Sequence, residues 1–259
     1  MKHKAEIVLR ALNLRLGYGD PAACKYVFIG IEEGGGPYDL DDFSLDVKPM
    51  DMWVGPVSKA RNQWSPVYTI MSKIVASLEN IADLEEYQVN RMCHAGDITI
   101  LINLFPLPKK SIDAWPYDRT LTREQYQEWL FYHLCDRYAA IRLALSNMPC
   151  LKATICFGST YWQDFINCLN LSSDHYNEMD AIRVYDTRKT LLTPFFQYKY
   201  GTISDDDIPR FAEAIRSLEQ SAASYRSPLR DLLKGEPERW APGEEGGKYE
   251  EPHRKAPSS

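Results

Sequence analysis

Four apolar runs, separated by segments long enough for helices, constrain the fold of this chain more than any other feature. The runs lie at Tyr26–Gly36 (YVFIGIEEGGG), Ile98–Pro108 (ITILINLFPLP), Lys152–Gly158 (KATICFG) and Thr190–Gly201 (TLLTPFFQYKYG). Continuous apolar runs are typical of strands covered on both faces, and helices between them are typical of parallel sheets. The sequence therefore predicts an α/β fold: three layers, α/β/α, around a central, mainly parallel four-stranded sheet.

The intervening segments carry helix signals. Thr122 followed by Gln125 is a capping box at the start of a long helix that runs to about Ser146, and Ser65-Pro66 opens a helix to about Asn80. We also expect helices over 4–16, 159–171 and 204–224. The chain has 259 residues, of which 44% are hydrophobic, enough for one sizeable core. Residues 1–225 are expected to form a single domain, and the polar residues 226–259 a flexible C-terminal tail.

Composition narrows the class of protein. The chain contains no apolar stretch of the length that a membrane helix needs, and its start is too rich in charge for a secretory signal. Six cysteines are scattered without a CxxC pair, so they are expected to be reduced core thiols. We therefore expect a cytoplasmic protein without membrane contact. The net charge of −6 argues against nucleic acid as a partner, but a local basic patch suffices for phosphate contacts.

Polar residues follow two of the predicted strands directly. Glu32, Glu33 and the glycines from Gly34 onward end the first run, and Asn103 is a polar residue near the end of the second. Ligands of open α/β sheets bind outside the carboxyl ends of the strands, and glycines let a ligand approach the backbone. These residues therefore predict a binding site; the alternative is a tight turn with solvated glutamates.

In chain order, these strand ends resemble the motifs of the uracil-DNA glycosylase superfamily. GIEEGGG is similar to the first family motif, with Glu32 where several branches hold a catalytic acid or amide. INLFPLP is similar to the strand whose asparagine reads the extruded pyrimidine, here Asn103. LLTPFFQYKYG is similar to the wedge motif, but Thr193 stands where histidine is expected.

The resemblance implies roles for these residues. A carboxylate near the anomeric carbon stabilises the developing positive charge and holds the attacking water, a role for Glu32 first and Glu33 second. Thr193 is a weak replacement for the cationic donor to the leaving base. Asn103 would read the pairing edge of the base. The base itself would stack on Phe43, and Gly30 and Gly34 would let it approach the backbone. The alternative for Asn103 is a structural amide that ties two loops together.

The same resemblance implies a surface for DNA. Aromatic residues after the last strand would enter the duplex as a wedge, and lysines beside the site would contact phosphates. The candidate DNA-binding residues are Lys109, Lys110, Pro194, Phe195, Phe196, Tyr198 and Lys199. The alternative for Phe195 and Phe196 is that they complete the core.

Together these features predict a monofunctional DNA glycosylase. It would hydrolyse the N-glycosidic bond of a flipped-out uracil-like or modified pyrimidine and leave an abasic site, in DNA repair or in defence against phage with modified DNA. The alternative is an α/β module that binds a nucleotide or DNA without cleaving it. The chain has no P-loop, no GxGxxG and no HExxH, so we expect neither a cofactor nor a metal. We expect a monomer whose partner is its DNA substrate.

Overall fold

The computed structural model describes residues 3–32, 53–54, 65–109, 115–117, 119–179, 181–196 and 205–232. Its strands are β1 (Gly17–Tyr18), β2 (Tyr26–Gly30), β3 (Trp53–Val54), β4 (Thr99–Asn103), β5 (Ala153–Phe157), β6 (Asn177–Met179), β7 (Ile182–Tyr185) and β8 (Thr190–Thr193). Its helices are α1 (His3–Leu14), α2 (Pro66–Glu79), α3 (Leu84–Glu86), α4 (Arg123–Ser146), α5 (Trp162–Leu169) and α6 (Ile208–Leu232).

The strands form one mixed sheet in the order β3-β1-β4-β2-β5-β8-β7-β6. Strands β4, β2, β5 and β8 are parallel neighbours and coincide with the four apolar runs. The predicted α/β fold with a parallel core is therefore confirmed. The predicted width of four strands is wrong, because β1 and β3 are only two residues long and β6 is largely exposed and polar, so none of them leaves an apolar run in the sequence.

Both faces of the parallel strands are buried, and alternate residues belong to different cores. Tyr26 and Phe28 pack with residues of α2 and α6, whereas Val27 and Ile29 pack with residues of α4 and α5. Every residue of β2, β4 and β5 is buried, which explains why these strands appear as continuous apolar runs.

Helices α2 and α4 begin where the sequence predicted them to begin, whereas α5 and α6 begin at Trp162 and Ile208, three and four residues later than expected, and the short α3 was not predicted. Thr122 and Gln125 form both hydrogen bonds of the capping box, and α4 ends at Ser146 as expected. Helix α2 starts at Pro66 and is closed by Asn80 in the left-handed region, at φ 54°. Helix α6 continues past the predicted domain end at 225 and reaches Leu232. No helix within the described ranges has both the length and the apolar content needed to cross a bilayer.

Candidate functional site

The carboxyl ends of β2 and β5 mark the point where the strand connections change direction. The chain passes from β2 to β4 on one side and then from β4 to β5 on the other side of β2, so the direction of the connections reverses between β2 and β5. Ligands of open α/β sheets bind in the crevice at such a switch point. A glycine stands at the carboxyl end of each of these two strands. Strand β2 ends on Gly30, and Gly158 follows the last residue of β5.

Asn103 lies beside Gly30 at this edge, because the two residues are paired in the register of β4 and β2. The backbone of Asn103 is fixed: its N–H donates to the oxygen of Leu16 at 3.1 Å. Its side-chain amide makes no hydrogen bond to any residue that the structure describes, although the residue is only 8% exposed. The predicted alternative, an amide that ties two loops together, has no support among the described residues.

A buried arginine holds the end of β4 in place. Arg137 of α4 is 1% exposed, and both its Nε and its Nη2 donate to the main-chain oxygen of Asn103. The Nε also donates to the main-chain oxygen of Leu104 at 2.9 Å. Its Nη1 donates to three more main-chain oxygens near the end of α1, those of Leu12, Asn13 and Arg15. Burial lowers the pKa of Arg137 to about 10. The Arg137 guanidinium, whose hydrogen bonds go to main-chain carbonyl oxygens, thus connects the end of α1 to the end of β4.

The ring of Phe157 covers the space beside Gly30. A Cβ on Gly30 would come within 2.8 Å of Cζ of Phe157, so only glycine admits the ring in this position. Phe157 stacks on Phe196 with ring centroids 4.6 Å apart, and the ring of Phe195 lies 5.9 Å away at a tilt. An aromatic wall therefore stands next to the residue that faces Asn103 across the strand register.

Glu32 follows β2 and forms an ion pair with Lys109. The Lys109 Nζ lies 2.7 Å from Glu32 Oε1, and each side chain is only 10% exposed. Burial raises the pKa of Glu32 above its usual value, and the hydrogen bond and positive charge of Lys109 oppose that rise. The carboxylate is thus held by one cation in a poorly solvated place. Lys109, predicted to contact phosphate, is directed to Glu32 instead.

A cluster of aromatic residues backs this ion pair. Lys109 Nζ lies 6.0 Å from the ring centroid of Trp115, which itself contacts Tyr117 and Tyr126. Burial and the charge of Glu32 raise the pKa of Tyr126. Neither Arg137 nor these aromatic residues were singled out from the sequence, because Arg137 lies in an ordinary helical stretch and the aromatic residues lie outside the apolar runs.

Thr193 is turned away from this edge. It is completely buried, and its hydroxyl can donate to the main-chain oxygen of Cys156 at 3.3 Å or of Pro194 at 3.0 Å. The main-chain oxygen of Thr193 accepts hydrogen bonds from Trp162 Nε1 and Gly158 N–H. Its side chain thus serves the end of β8, and in this arrangement it does not face a departing base.

The aromatic residues after β8 divide into two environments. Phe196 is completely buried and also contacts Phe28 and Phe211, so it belongs to the core rather than to a wedge. Phe195 and Pro194 are half-buried and remain at the rim. The other predicted site residues lie outside the described residues: Glu33, Gly34, Phe43, Lys110, Tyr198 and Lys199.

The histidines considered as replacements for the family donor lie elsewhere. His94 precedes β4, at the amino ends of the parallel strands, and its Nε2 is buried without a hydrogen-bond partner among the described residues. His133 packs on the ring of Trp129, and His175 hydrogen-bonds Ser172 in an exposed loop before β6. Within the described ranges, no group of histidine, cysteine or acidic side chains is arranged to hold a metal ion.

A cavity of about 610 Å³ lies at the opposite edge, near the first residues of β5 and β8. Arg142, Arg188 and Lys189 line it, but two of these cations are engaged: Arg142 donates to the oxygen of Cys168 at 2.6 Å, and Lys189 to that of Leu151 at 3.1 Å. Helices α4 and α5 also end there, and helix C-termini disfavour anions. The strand-end residues, rather than this cavity, therefore form the candidate site.

Comparison with known proteins gives no relatives: no family model, no curated protein and no solved structure matches this chain.

Proposed function

We propose that the protein is a monofunctional DNA glycosylase whose site lies at the carboxyl edge of β2, β4 and β5. The observation that carries this proposal is the side-chain amide of Asn103, which makes no hydrogen bond to a described residue. Asn103 is in register with Gly30, two residues before the buried carboxylate of Glu32. An amide plane offers one acceptor and two donors, the pattern needed to read the edge of a pyrimidine. The ring of Phe157, buried and stacked on Phe196, closes the core beside Gly30.

In the proposed reaction, water attacks the anomeric carbon C1′ as the C1′–N bond breaks. The base leaves with the bonding electron pair and is then protonated, and the hydroxyl of water stays on C1′ of the abasic sugar. Glu32 accepts the proton of the attacking water and stabilises the positive charge on the sugar. Lys109 lies 2.7 Å from Glu32 and favours its ionised form, so it acts on the carboxylate rather than on the DNA backbone.

The substrate that fits best is a uracil-like or modified pyrimidine in DNA. With Thr193 buried, no side chain that the structure describes supplies a cationic donor to the departing base, so a base that leaves easily is favoured. Enlarged pyrimidines of phage genomes are such a class when their substituents withdraw electrons. The biological setting is then DNA repair or defence against phage with modified DNA.

The second candidate is an α/β module that binds a nucleotide or DNA without reaction. The ion pair between Glu32 and Lys109 favours it, because a carboxylate held by a lysine is less free to receive a proton. The buried hydroxyl of Thr193 favours it too. Both candidates use Asn103 for recognition.

One experiment separates the two. Labelled duplexes and single strands that carry uracil, thymine, 5-hydroxymethyluracil or glucosylated 5-hydroxymethylcytosine are incubated with the protein, treated with alkali and resolved on a denaturing gel. Alkali-sensitive breaks together with released base in mass spectrometry support a glycosylase. Binding without breaks supports the module, and neither binding nor breaks overturns both.

Matched variants test the assigned residues. Glu32→Gln should abolish breaks while DNA binding is kept within about threefold, because an amide keeps the shape but accepts no proton. Asn103→Ala should weaken both binding and cleavage. Glu178→Gln, on the exposed strand β6, is the control and should change neither. Unchanged cleavage by Glu32→Gln would remove the catalytic assignment.

A further inference from the structure

The outward face of α4 carries an apolar stripe that nothing in the described structure covers. Phe131 is 81% exposed, Tyr132 66% and Leu143 59%, values far above those of ordinary surface hydrophobic residues in this chain. Cys135 and Ala139 are also exposed and lie between them. Phe131, Cys135, Ala139 and Leu143 are spaced four residues apart, so they follow one side of the helix over three turns.

The order of side chains along this stripe is symmetric about residue 137. Large apolar Phe131 and Leu143 stand equally far from that point on opposite sides, as do small Cys135 and Ala139. A two-fold axis near the middle of α4 would therefore place large residues opposite large and small residues opposite small.

We propose that a second copy of this chain docks on this face, with the two α4 helices antiparallel and crossing near residue 137. Phe131 of one copy then packs on Leu143 of the other, and the small residues at Cys135 and Ala139 let the helices approach closely. Arg137 itself points the opposite way, into its own protomer, so the dimer leaves its hydrogen bonds intact. This replaces the expectation of a monomer.

The size of the stripe sets the strength of the contact. From residue 128 to 146 the helix spans about 27 Å, so a face about 10 Å wide has an area of about 270 Å². Stable complexes bury roughly 1,200–2,000 Å² in total, or about 600–1,000 Å² on each partner, which is far more than this face offers. A dimer held by this stripe alone should therefore be weak, with a Kd on the order of micromolar. Self-association should be visible in concentrated samples and absent at nanomolar concentration.

Sedimentation of the full chain tests the dimer. Samples from about 1 to 300 μM should show a rise in mean mass toward twice the monomer mass, and Phe131→Glu should keep the protein monomeric throughout. Because Phe131 is largely exposed, this change should leave the Tm unaltered. Glu128→Gln at the end of the stripe is a matched control that should not alter association. A wild-type protein that stays monomeric at 300 μM, or a Phe131→Glu protein that still dimerises, overturns the proposal.

Disulfide formation tests the antiparallel register. With Cys150 changed to serine, Cys135 is the one exposed thiol, since the remaining cysteines are buried. In the proposed dimer Cys135 faces residue 139 of the other copy, while the two Cys135 residues lie about 10 Å apart, too far for a disulfide. A mixture of Cys150→Ser with Cys150→Ser/Cys135→Ala/Ala139→Cys should thus form disulfide-linked dimers that neither protein forms alone.

The control replaces the second partner by Cys150→Ser/Cys135→Ala/Asp136→Cys, which places the thiol beside the stripe and should not cross-link. Linkage in the Cys135 protein alone would indicate parallel helices. The absence of linkage in the mixture would show that another surface mediates association. Either result overturns the antiparallel pairing. A protein that does not self-associate in phosphate buffer but binds lipid vesicles would overturn the proposed dimer too, since a membrane would then be the occupant of the stripe.

Discussion

Arg137 Nε and Nη2 both donate to the main-chain oxygen of Asn103, so a buried arginine fixes the main chain of the residue proposed to read the base. Replacing Arg137 by methionine keeps the apolar stem of the side chain but removes the guanidinium that donates to five carbonyl oxygens. Of these five, the oxygen of Leu12 keeps a second donor, the N–H of Arg15. Each unsatisfied buried group costs about 1–3 kcal/mol, partly offset by no longer burying a charge. We expect the free energy of unfolding to fall by about 3–5 kcal/mol in urea titrations.

The control for this change is Arg10→Met, which removes an exposed arginine paired with Glu6. Its effect should stay below about 1 kcal/mol, as for other exposed pairs. If the two variants lost similar amounts, the carbonyl cluster would not be what stabilises this part of the fold.

Glu32 and Lys109 predict a pH effect with a definite sign. Because the pKa of Glu32 in the folded protein lies above its ordinary value of 4.5, folding favours the protonated carboxyl. This contribution to stability is fully present below pH 4.5 and is lost as the pH rises through the folded-state pKa. Lys109→Met removes the cation that opposes the shift, so it should raise the pKa of Glu32 further. The loss of stability between acid and neutral pH should therefore be larger in this variant.

Carbon-13 NMR of the side-chain carboxyl, assigned with Glu32→Gln, measures the pKa directly. Lys73→Met, which removes a cation paired with the exposed carboxylate of Asp205, serves as the control and should leave the Glu32 titration in place. A titration of Glu32 that does not move in Lys109→Met would show that the ion pair is absent in solution.

Gly30 and Phe157 predict a compensating pair of substitutions. Gly30→Ala places a Cβ within 2.8 Å of the Phe157 ring, which is already stacked on Phe196, so we expect a loss of about 1–3 kcal/mol. Phe157→Leu alone should also destabilise, by leaving space beside Gly30. In the double variant the smaller leucine accommodates the Cβ. The loss of unfolding free energy measured for the double variant by thermal unfolding should therefore be smaller than the sum of the losses of the two single variants. Strict additivity would contradict the contact.

Glu79 predicts loss of stability in acid. Burial raises the pKa of this carboxyl, but hydrogen bonds from Lys25, Tyr26 and Lys152 outweigh it and lower the pKa to about 2. The resulting stability is present above the ordinary value of 4.5 and is lost as the pH falls toward 2. Glu79→Gln should thus cost about 1–3 kcal/mol at pH 7 and progressively less below pH 4.5.

Urea titrations at pH 7, 4 and 3 follow this difference, with the exposed Glu213→Gln as the control that should stay near the wild type at each pH. A gap between Glu79→Gln and wild type that persists undiminished at pH 3 would contradict the role of the ionised carboxylate.

Phe195 and Phe196 should respond differently to truncation. Phe196→Ala removes a fully buried ring with three aromatic neighbours and should cost about 3–5 kcal/mol. Phe195→Ala at the rim should cost less, about 1–2 kcal/mol. In DNA binding the order reverses if the rim contacts the duplex: Phe195→Ala would then lower affinity more than its effect on stability explains. Equal effects on unfolding would place both rings in the same environment.

The parallel strands could be predicted from the sequence because burial on both faces makes each of them a continuous apolar run. The capping box at Thr122 and Gln125 was equally local and marked the start of α4. The edge strands could not be found this way. Their residues pair through the backbone with a sheet that already exists, and the sequence needs no special pattern for that.

The candidate site was predictable only in part, for the same reason. Glu32 and Asn103 follow apolar runs, so their place at the strand ends was visible in the sequence. The contact between Glu32 and Lys109 depends on how two separate loops meet, and the environment of Thr193 depends on the packing of β8 against β5. Phe196 looked like a wedge residue, but its neighbours come from β2, β5 and α6, which only the folded chain brings together.

The oxygens around Arg137 all belong to the main chain, which makes the cluster indifferent to the side chains that surround it. As the sequence diverges, a replacement at position 12, 13, 15 or 104 removes no acceptor, because each oxygen belongs to the main chain. The arginine has no such substitute, since lysine offers a single nitrogen where the guanidinium reaches two separate chain segments at once. In distant descendants of this chain, the arginine should therefore outlast every residue it touches.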